Sequence, residues 1–201
     1  MFEQWRADYV AKHPEIAIHY DSIGSGEGVK RFLAGETDIG TTDAPVTQGQ
    51  ADAVDWDFAQ IPITAGMIAL VYNLPGVDGP LRLPRELYPE IFLGKVARWD
   101  DPRIAAANPD LDLPAKLIQL VARQDASGTT FAFTNHLSAI HDGWSQQFGA
   151  AKVIDWPGGT MTARGNEGVA QRIKITAGSL GYLPLAPDIT EAALDALHDS
   201  D

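Results

Sequence analysis

The chain has 201 residues, a formal net charge of −12, 45% hydrophobic and 21% charged residues, and no cysteine. That length and balance suit a globular fold with a real core, and the acidic excess speaks against nucleic acid or an anionic membrane as a partner, because no lysine/arginine block offsets the repulsion. Thiolate catalysis, iron–sulfur clusters and thiolate zinc sites are excluded by the missing cysteines, and no apolar run reaches the roughly eighteen residues a membrane-spanning helix needs.

Met1-Phe2-Glu3-Gln4-Trp5-Arg6 has neither a charged n-region nor an apolar h-region, so no signal peptide is expected within this sequence. Phe2, Trp5, Tyr9 and Val10 recur at helical spacing and predict a helix over 2–13, stopped by Pro14. A strand is expected at 16–20, then a Ser-Gly turn, then a helix striped by Val29, Phe32 and Leu33 that ends at Gly35. Residues 38–43 read as a short strand closed by Ala44-Pro45. The Ala/Ile/Val/Leu-rich runs 60–64 and 67–72 look like consecutive buried strands. The Pro/Gly cluster from Leu74-Pro75-Gly76 to Gly79-Pro80 is the expected crossing between two lobes, residues 1–73 and 74–201. Beyond it come helices over 84–93 and after Asp100-Asp101-Pro102, a strand at 117–122, and a helix over 129–140. A helix over 165–177, a strand at 180–183 and an apolar-striped helix at 189–197 complete the chain. Alternating strands and helices on short connections predict an α/β fold, and no internal repeat is visible.

Two stretches carry most of the chemistry: Ser22-Ile23-Gly24-Ser25-Gly26-Glu27-Gly28 and Arg123-Gln124-Asp125-Ala126-Ser127-Gly128-Thr129. Each joins an expected strand to an expected helix through hydroxyls and glycines. A helix start leaves backbone N–H groups unpaired and its dipole favours negative charge, so both turns read as oxyanion cradles. Plain helix capping accounts for the same residues. The first turn fits neither familiar nucleotide motif. Its third glycine falls one position early for a dinucleotide fingerprint, and Gly28 is followed by Val29 where a phosphate loop needs Gly-Lys-Ser/Thr. Arg123 supplies the planar cation suited to forked contact with an oxyanion; a surface salt bridge with Asp125 is the alternative, and one pair can do both.

Asp43 is the informative residue. A carboxylate beside a bound anion is repulsive unless the ligand still carries a proton to donate, which the phosphate monoanion and dianion do and sulfate at neutral pH does not. Capping the turn into Ala44-Pro45 is the simpler use of an aspartate there. The histidines are scattered, and His136 and His141 are five apart, so no metal pair forms on a helix face and no metal ligand is assigned. No Gly-x-Ser-x-Gly elbow or nucleophile–base pair marks an enzyme, so no catalytic residue is assigned. The tryptophans 5, 56, 99, 144 and 156 read as packing rather than as a base-stacking platform.

Taken together, Gly24-Ser25-Gly26, Asp38-Ile39-Gly40-Thr41-Thr42-Asp43-Ala44-Pro45, Leu93-Gly94-Lys95 with Trp99-Asp100-Asp101-Pro102, Arg123-x-Asp125-x-Ser127-Gly128-Thr129-Thr130-Phe131 and Gly165-Asn166-Glu167-Gly168-Val169 resemble the phosphate-binding periplasmic proteins that feed the high-affinity phosphate ABC transporter. The likeness runs from Trp5 to about Tyr182. It implies a type II-like, two-lobed periplasmic binding protein fold of the α/β class, its second lobe nearly complete and its first partial. It further implies that inorganic phosphate is held between the lobes with no chemistry and no cofactor, for delivery to a membrane permease, in the periplasm or another extracytoplasmic space. The implied ligands are Ser25 and Asp43 from one lobe and Arg123, Ser127, Gly128 and Thr129 from the other, with Asp125 orienting Arg123.

This sequence departs from the family pattern at three places. It starts just after the family's Gly-Ala-Gly-x-Thr/Ser-Phe-Pro loop, and it stops soon after Tyr182-Leu183-Pro184 where the family returns to complete its first lobe. Glu27 stands where the family has a small residue. The first two departures imply a fragment, a truncated product or a degenerate paralogue; the third implies weakened binding if Glu27 points inward. A sensory or interaction domain that kept the fold is a second functional class, and an enzyme acting on phosphate esters a third.

Overall fold

The structure is a computed structural model, and it describes residues 2–185. In chain order the elements are α1 Phe2–Lys12, α2 Ser25–Leu33, α3 Gln48–Ala51, β1 Ile68–Asn73, α4 Tyr88–Phe92, α5 Pro102–Ala107, β2 Gln119–Arg123, α6 Gly128–Ile140, α7 Asp142–Gln147, β3 Met161–Ala163, α8 Gly165–Ile175 and β4 Ser179–Pro184. The helix expected at 189–197 lies outside the described residues.

The four strands form one mixed sheet in the order β1-β4-β2-β3. β2 runs parallel to both β3 and β4, while β1 is antiparallel to β4 over the register Ile68↔Pro184 to Asn73↔Ser179. Side chains alternate across a strand, and this alternation sorts the core into two. Leu120 and Ala122 of β2, with Leu180 and Tyr182 of β4, face a cluster containing Phe92, Trp99, Ile104, Leu137 and Trp144. Val121 and Leu183 face the other way, onto Val169 and Ile173 of α8. The sheet is thus covered on both faces, as parallel strands require. Aromatic rings tie the larger cluster together, Phe92 meeting Phe133 edge-on at 4.8 Å and Phe133 stacking on Tyr182 at 4.5 Å.

β1 belongs to this sheet, and the Pro/Gly segment 74–80 follows it as a loop. Just ahead of β1 the Leu185 amide donates to the Met67 carbonyl at 2.7 Å, extending the antiparallel pairing of β1 with β4.

Residues 2–66 are built differently. The expected strands at 16–20, 38–43 and 60–64 do not form; these segments carry no ladder partner among the described residues. An extended run becomes a strand only when a neighbour takes its N–H and C=O groups. The apolar side chains that a sheet would have buried stay exposed, including Ile39 at 79%, Ile61 at 72% and Ile63 at 67%. α1 has no buried residue, and α2 is anchored chiefly by Ser25 and Val29.

Candidate oxyanion site

β2 and β3 are parallel neighbours with Arg123 opposite Ala163, and each feeds a helix at its C-terminal end, β2 into α6 and β3 into α8. Two helix N-termini therefore open at one edge of the sheet, the crevice in which open α/β sheets bind ligands. A cavity of about 280 Å³ lies there. It is lined from one side by Arg123, Asp125, Ser127, Gly128, Thr129 and residues 164–167, and from the other by Ser25, Asp43 and neighbours in 20–24 and 41–42. All seven residues expected from the sequence line it.

Arg123 is only 7% exposed. Its Nε donates to Asp125 Oδ1 at 2.8 Å, one terminal nitrogen donates to Asp125 Oδ2, and the other, Nη1, donates to Asn166 Oδ1 at 2.6 Å. The salt bridge with Asp125 exists, and it is a largely buried pair rather than a surface one. Asp125 Oδ1 also accepts from the Gly165 amide at 3.0 Å. Burial works against the charged carboxylate of Asp125, but the hydrogen bonds from Arg123 and Gly165, with the Arg123 charge, outweigh it and lower its pKa to about 2. The Arg123 amide donates to the Tyr182 hydroxyl at 3.3 Å, which in turn bonds Thr130 Oγ1 at 2.7 Å.

Ser127 is the N-cap of α6, its Oγ accepting from the Thr130 amide at 3.1 Å. Capping and ligand binding do not compete here, because the bond to Thr130 uses a lone pair and leaves the hydroxyl proton to donate. The Gly128 and Thr129 amides belong to the first turn of α6, whose N–H groups have no intrahelical acceptor. Ser25 does not cap α2: the N-cap is Gly24, without a side-chain bond, and Ser25 Oγ accepts from the Asp43 amide at 3.2 Å. That bond draws Asp43 up against α6. A Cβ on Gly128 would sit 2.2 Å from Ser25 Oγ and 2.6 Å from Asp43 Oδ2, so only glycine allows the two sides this close. Glu27 is turned along α2 to Arg31 at 3.3 Å and Lys30 at 3.5 Å, and does not line the cavity.

The residues whose place at the site the sequence reading left unassigned are Gly165, Asn166 and Tyr182. The Gly-Asn pair was recognisable as part of a motif, but β3 in front of it spans three residues and gives no apolar alternation long enough to mark a strand–helix junction. His136 and His141 point elsewhere, to Tyr88 and Glu90. Among the described residues no group of three or more His, Asp and Glu could hold a metal.

A protein-family model described as the PBP superfamily domain matches residues 1–198. The chain belongs to the PBP superfamily. Over 187 residues this PBP-superfamily chain is 41% identical to the phosphate-binding protein PstS of Xylella fastidiosa strain Temecula1, a match covering 92% of the chain and 50% of that relative. It is 38% identical over 194 residues to PstS of Methanocaldococcus jannaschii, covering 92% of the chain and again 50% of the relative. The chain thus spans about half the length of these relatives. Among solved structures, a high affinity periplasmic phosphate-binding protein bound with phosphate superposes with a TM-score of 0.68 at 23% identity, over 88% of this chain and 52% of that one. That likeness shows the fold, a two-lobed α/β architecture of which this chain covers about half.

Proposed function

We propose that this chain holds inorganic phosphate between two lobes, without chemistry, for delivery to the permease of a phosphate ABC transporter outside the cytoplasm. The observation that carries the reading is the opposition, across one cavity, of the α6-side donors and the Asp43 carboxylate. Arg123, Ser127, Gly128 and Thr129 present N–H and O–H groups from the α6 side, while Asp43, tied down by Ser25, presents a carboxylate from the other. Such a set suits an oxyanion that still owns a proton. The names of the relatives, phosphate-binding protein PstS, agree with that chemistry.

The lobes divide at about residue 67, ahead of β1, because β1 is hydrogen-bonded into the sheet that carries Arg123. β1 and the end of β4 are then the crossing strands about which closure would bend, with Ser25 and Asp43 on one lobe and the Arg123 and α6 donors on the other. Asp125 is a positioning residue for Arg123.

Calorimetric titration of the chain with phosphate, with sulfate as control, tests the reading. Binding of phosphate with rejection of sulfate is expected. Equal uptake of both anions, or of neither, would remove it.

A further inference from the structure

Arg123 is gripped from two sides, and only one of the two grips is charged. A guanidinium has five N–H donors in a fixed plane. Asp125 takes two of them, at Nε and at one terminal nitrogen, and Asn166 Oδ1 takes a third at Nη1, 2.6 Å away. The two that remain sit one on each terminal nitrogen. Arg123 itself lines the cavity, and forked contact is what suits arginine to planar or tetrahedral oxygen pairs. Asp125 by itself leaves Nη1 free to exchange its two hydrogens by rotation; Asn166 removes that freedom.

The sheet register places Asn166 for this task. Arg123 pairs with Ala163 in the parallel β2–β3 ladder, and the Gln124 amide extends the pairing by donating to the Ala163 carbonyl at 2.9 Å. Three residues beyond Ala163, in the first turn of α8, Asn166 comes level with the guanidinium from the face that Val121 and Arg123 share. Its neighbour Gly165 simultaneously holds Asp125 Oδ1. The start of α8 thus locks both members of the Arg123–Asp125 pair.

We propose that Asn166 is a positioning residue for oxyanion binding, fixing the Arg123 fork through a neutral amide oxygen; this rests on reading the cavity as an oxyanion site. Neutrality is the point of the choice. The cavity lining already includes Asp21, Asp43, Asp125 and Glu167 against Arg123 and Arg164. An aspartate at 166 would hold Nη1 equally well while adding a carboxylate beside the ligand and neutralising the cation meant for it.

The test uses the whole chain labelled with 15N-arginine, Arg123 being assigned by comparison with Arg123→Lys, and two variants, Asn166→Ala and Asn166→Asp, whose folding is checked by circular dichroism. In the unsubstituted chain the Arg123 Nη protons should give separate, slowly exchanging signals. Asn166→Ala should merge the Nη1 pair while leaving the Nε–H signal, and should weaken phosphate binding about tenfold, the loss of one charge-assisted bond's worth of order. Asn166→Asp should keep the Nη1 signals apart yet bind phosphate more weakly still, with a deficit that shrinks as salt is raised. A purely structural role would not separate the two variants in this way. Unchanged Nη signals in Asn166→Ala, or phosphate affinity equal to the parent's in both variants, would overturn the proposal. If the parent chain itself takes up no phosphate, the functional reading fails, while the spectra still decide whether Asn166 holds Arg123.

Discussion

Gly26 is pressed directly onto Ala126: its amide donates to the Ala126 carbonyl at 3.0 Å, and a Cβ on Gly26 would lie 2.3 Å from the Ala126 Cβ. This contact joins the first turn of α2 to the turn before α6, beside the cavity that both line. Gly26→Ala must push them apart or distort α2. Overpacking of this kind costs about 1–3 kcal/mol where it cannot relax. Because residues 2–66 bury little, relaxation by separating the turns is the easier route. The variant should therefore keep its melting temperature within a few degrees while losing phosphate affinity. A melting temperature lowered with binding intact would show that the contact serves folding and not closure.

Arg123→Ala separates a ligand from a structural ion pair. Truncating one member of a buried, hydrogen-bonded charge pair costs on the order of 2–5 kcal/mol in binding, against roughly 0–1 for an exposed pair. At 7% exposure Arg123 belongs to the first class. Phosphate binding measured by calorimetry should fall by two or more powers of ten, and Arg123→Lys should recover only part of it, since an ammonium cannot serve Asp125, Asn166 and an anion in one plane. Unchanged affinity in Arg123→Ala would leave the residue as a structural cation alone.

How much of this could be read from the sequence differs between the two parts of the chain. β2 and β4 announce themselves through apolar residues flanked by helix-start signals, Asp101-Pro102 caps α5 as its sequence suggests, and α6 begins one residue from the expected place. Segments 16–20, 38–43 and 60–64 carry equally good strand patterns and form no ladder among the described residues, because a pattern specifies which face would be buried and not whether a neighbour pairs with it. α3, α7 and β3 are too short to show periodicity. The candidate residues that line the cavity were readable by residue type, Arg123 to Thr129 at the β2–α6 junction, Ser25 at the start of α2 and Asp43 in a turn. Asn166 was not, since its role depends on the β2–β3 register, which follows from pairing in space.

The Asp125 carboxyl makes stability depend on acid. Its pKa is held at about 2 in the folded chain, against 3.8 for a free side chain. Below both values the folded and unfolded chains bind the same proton, and above both neither does; between them the unfolded chain takes up the proton first. The contribution is thus fully present above about pH 4 and is lost as pH falls through about 2, and a shift of this size corresponds to roughly 2 kcal/mol. Denaturant midpoints measured from neutral pH down to about 2 should fall more steeply for the parent than for Asp125→Asn. Parallel slopes would show that the pair with Arg123 does not contribute through protonation.

On the proposed reading, Asp43 decides between protonated and fully ionised oxyanions. The Ser25 hydroxyl accepts its amide, and its carboxylate stands beside the start of α6, whose first-turn amides are donors. Phosphate at neutral pH can give a proton to that carboxylate; sulfate meets it with lone pairs against lone pairs. A site left with such a mismatch discriminates by far more than a change of ligand size would achieve. Asp43→Asn turns the repulsive oxygen into an amide that can donate to sulfate. Its phosphate affinity should fall modestly while sulfate affinity rises, narrowing the ratio by at least about tenfold, the worth of one hydrogen bond gained in place of one repulsion. Titrating both anions into parent and variant measures that ratio. If the parent accepts sulfate as readily as phosphate, or if the ratio is the same in the variant, Asp43 is not the proton acceptor and serves only to cap the turn into Ala44-Pro45.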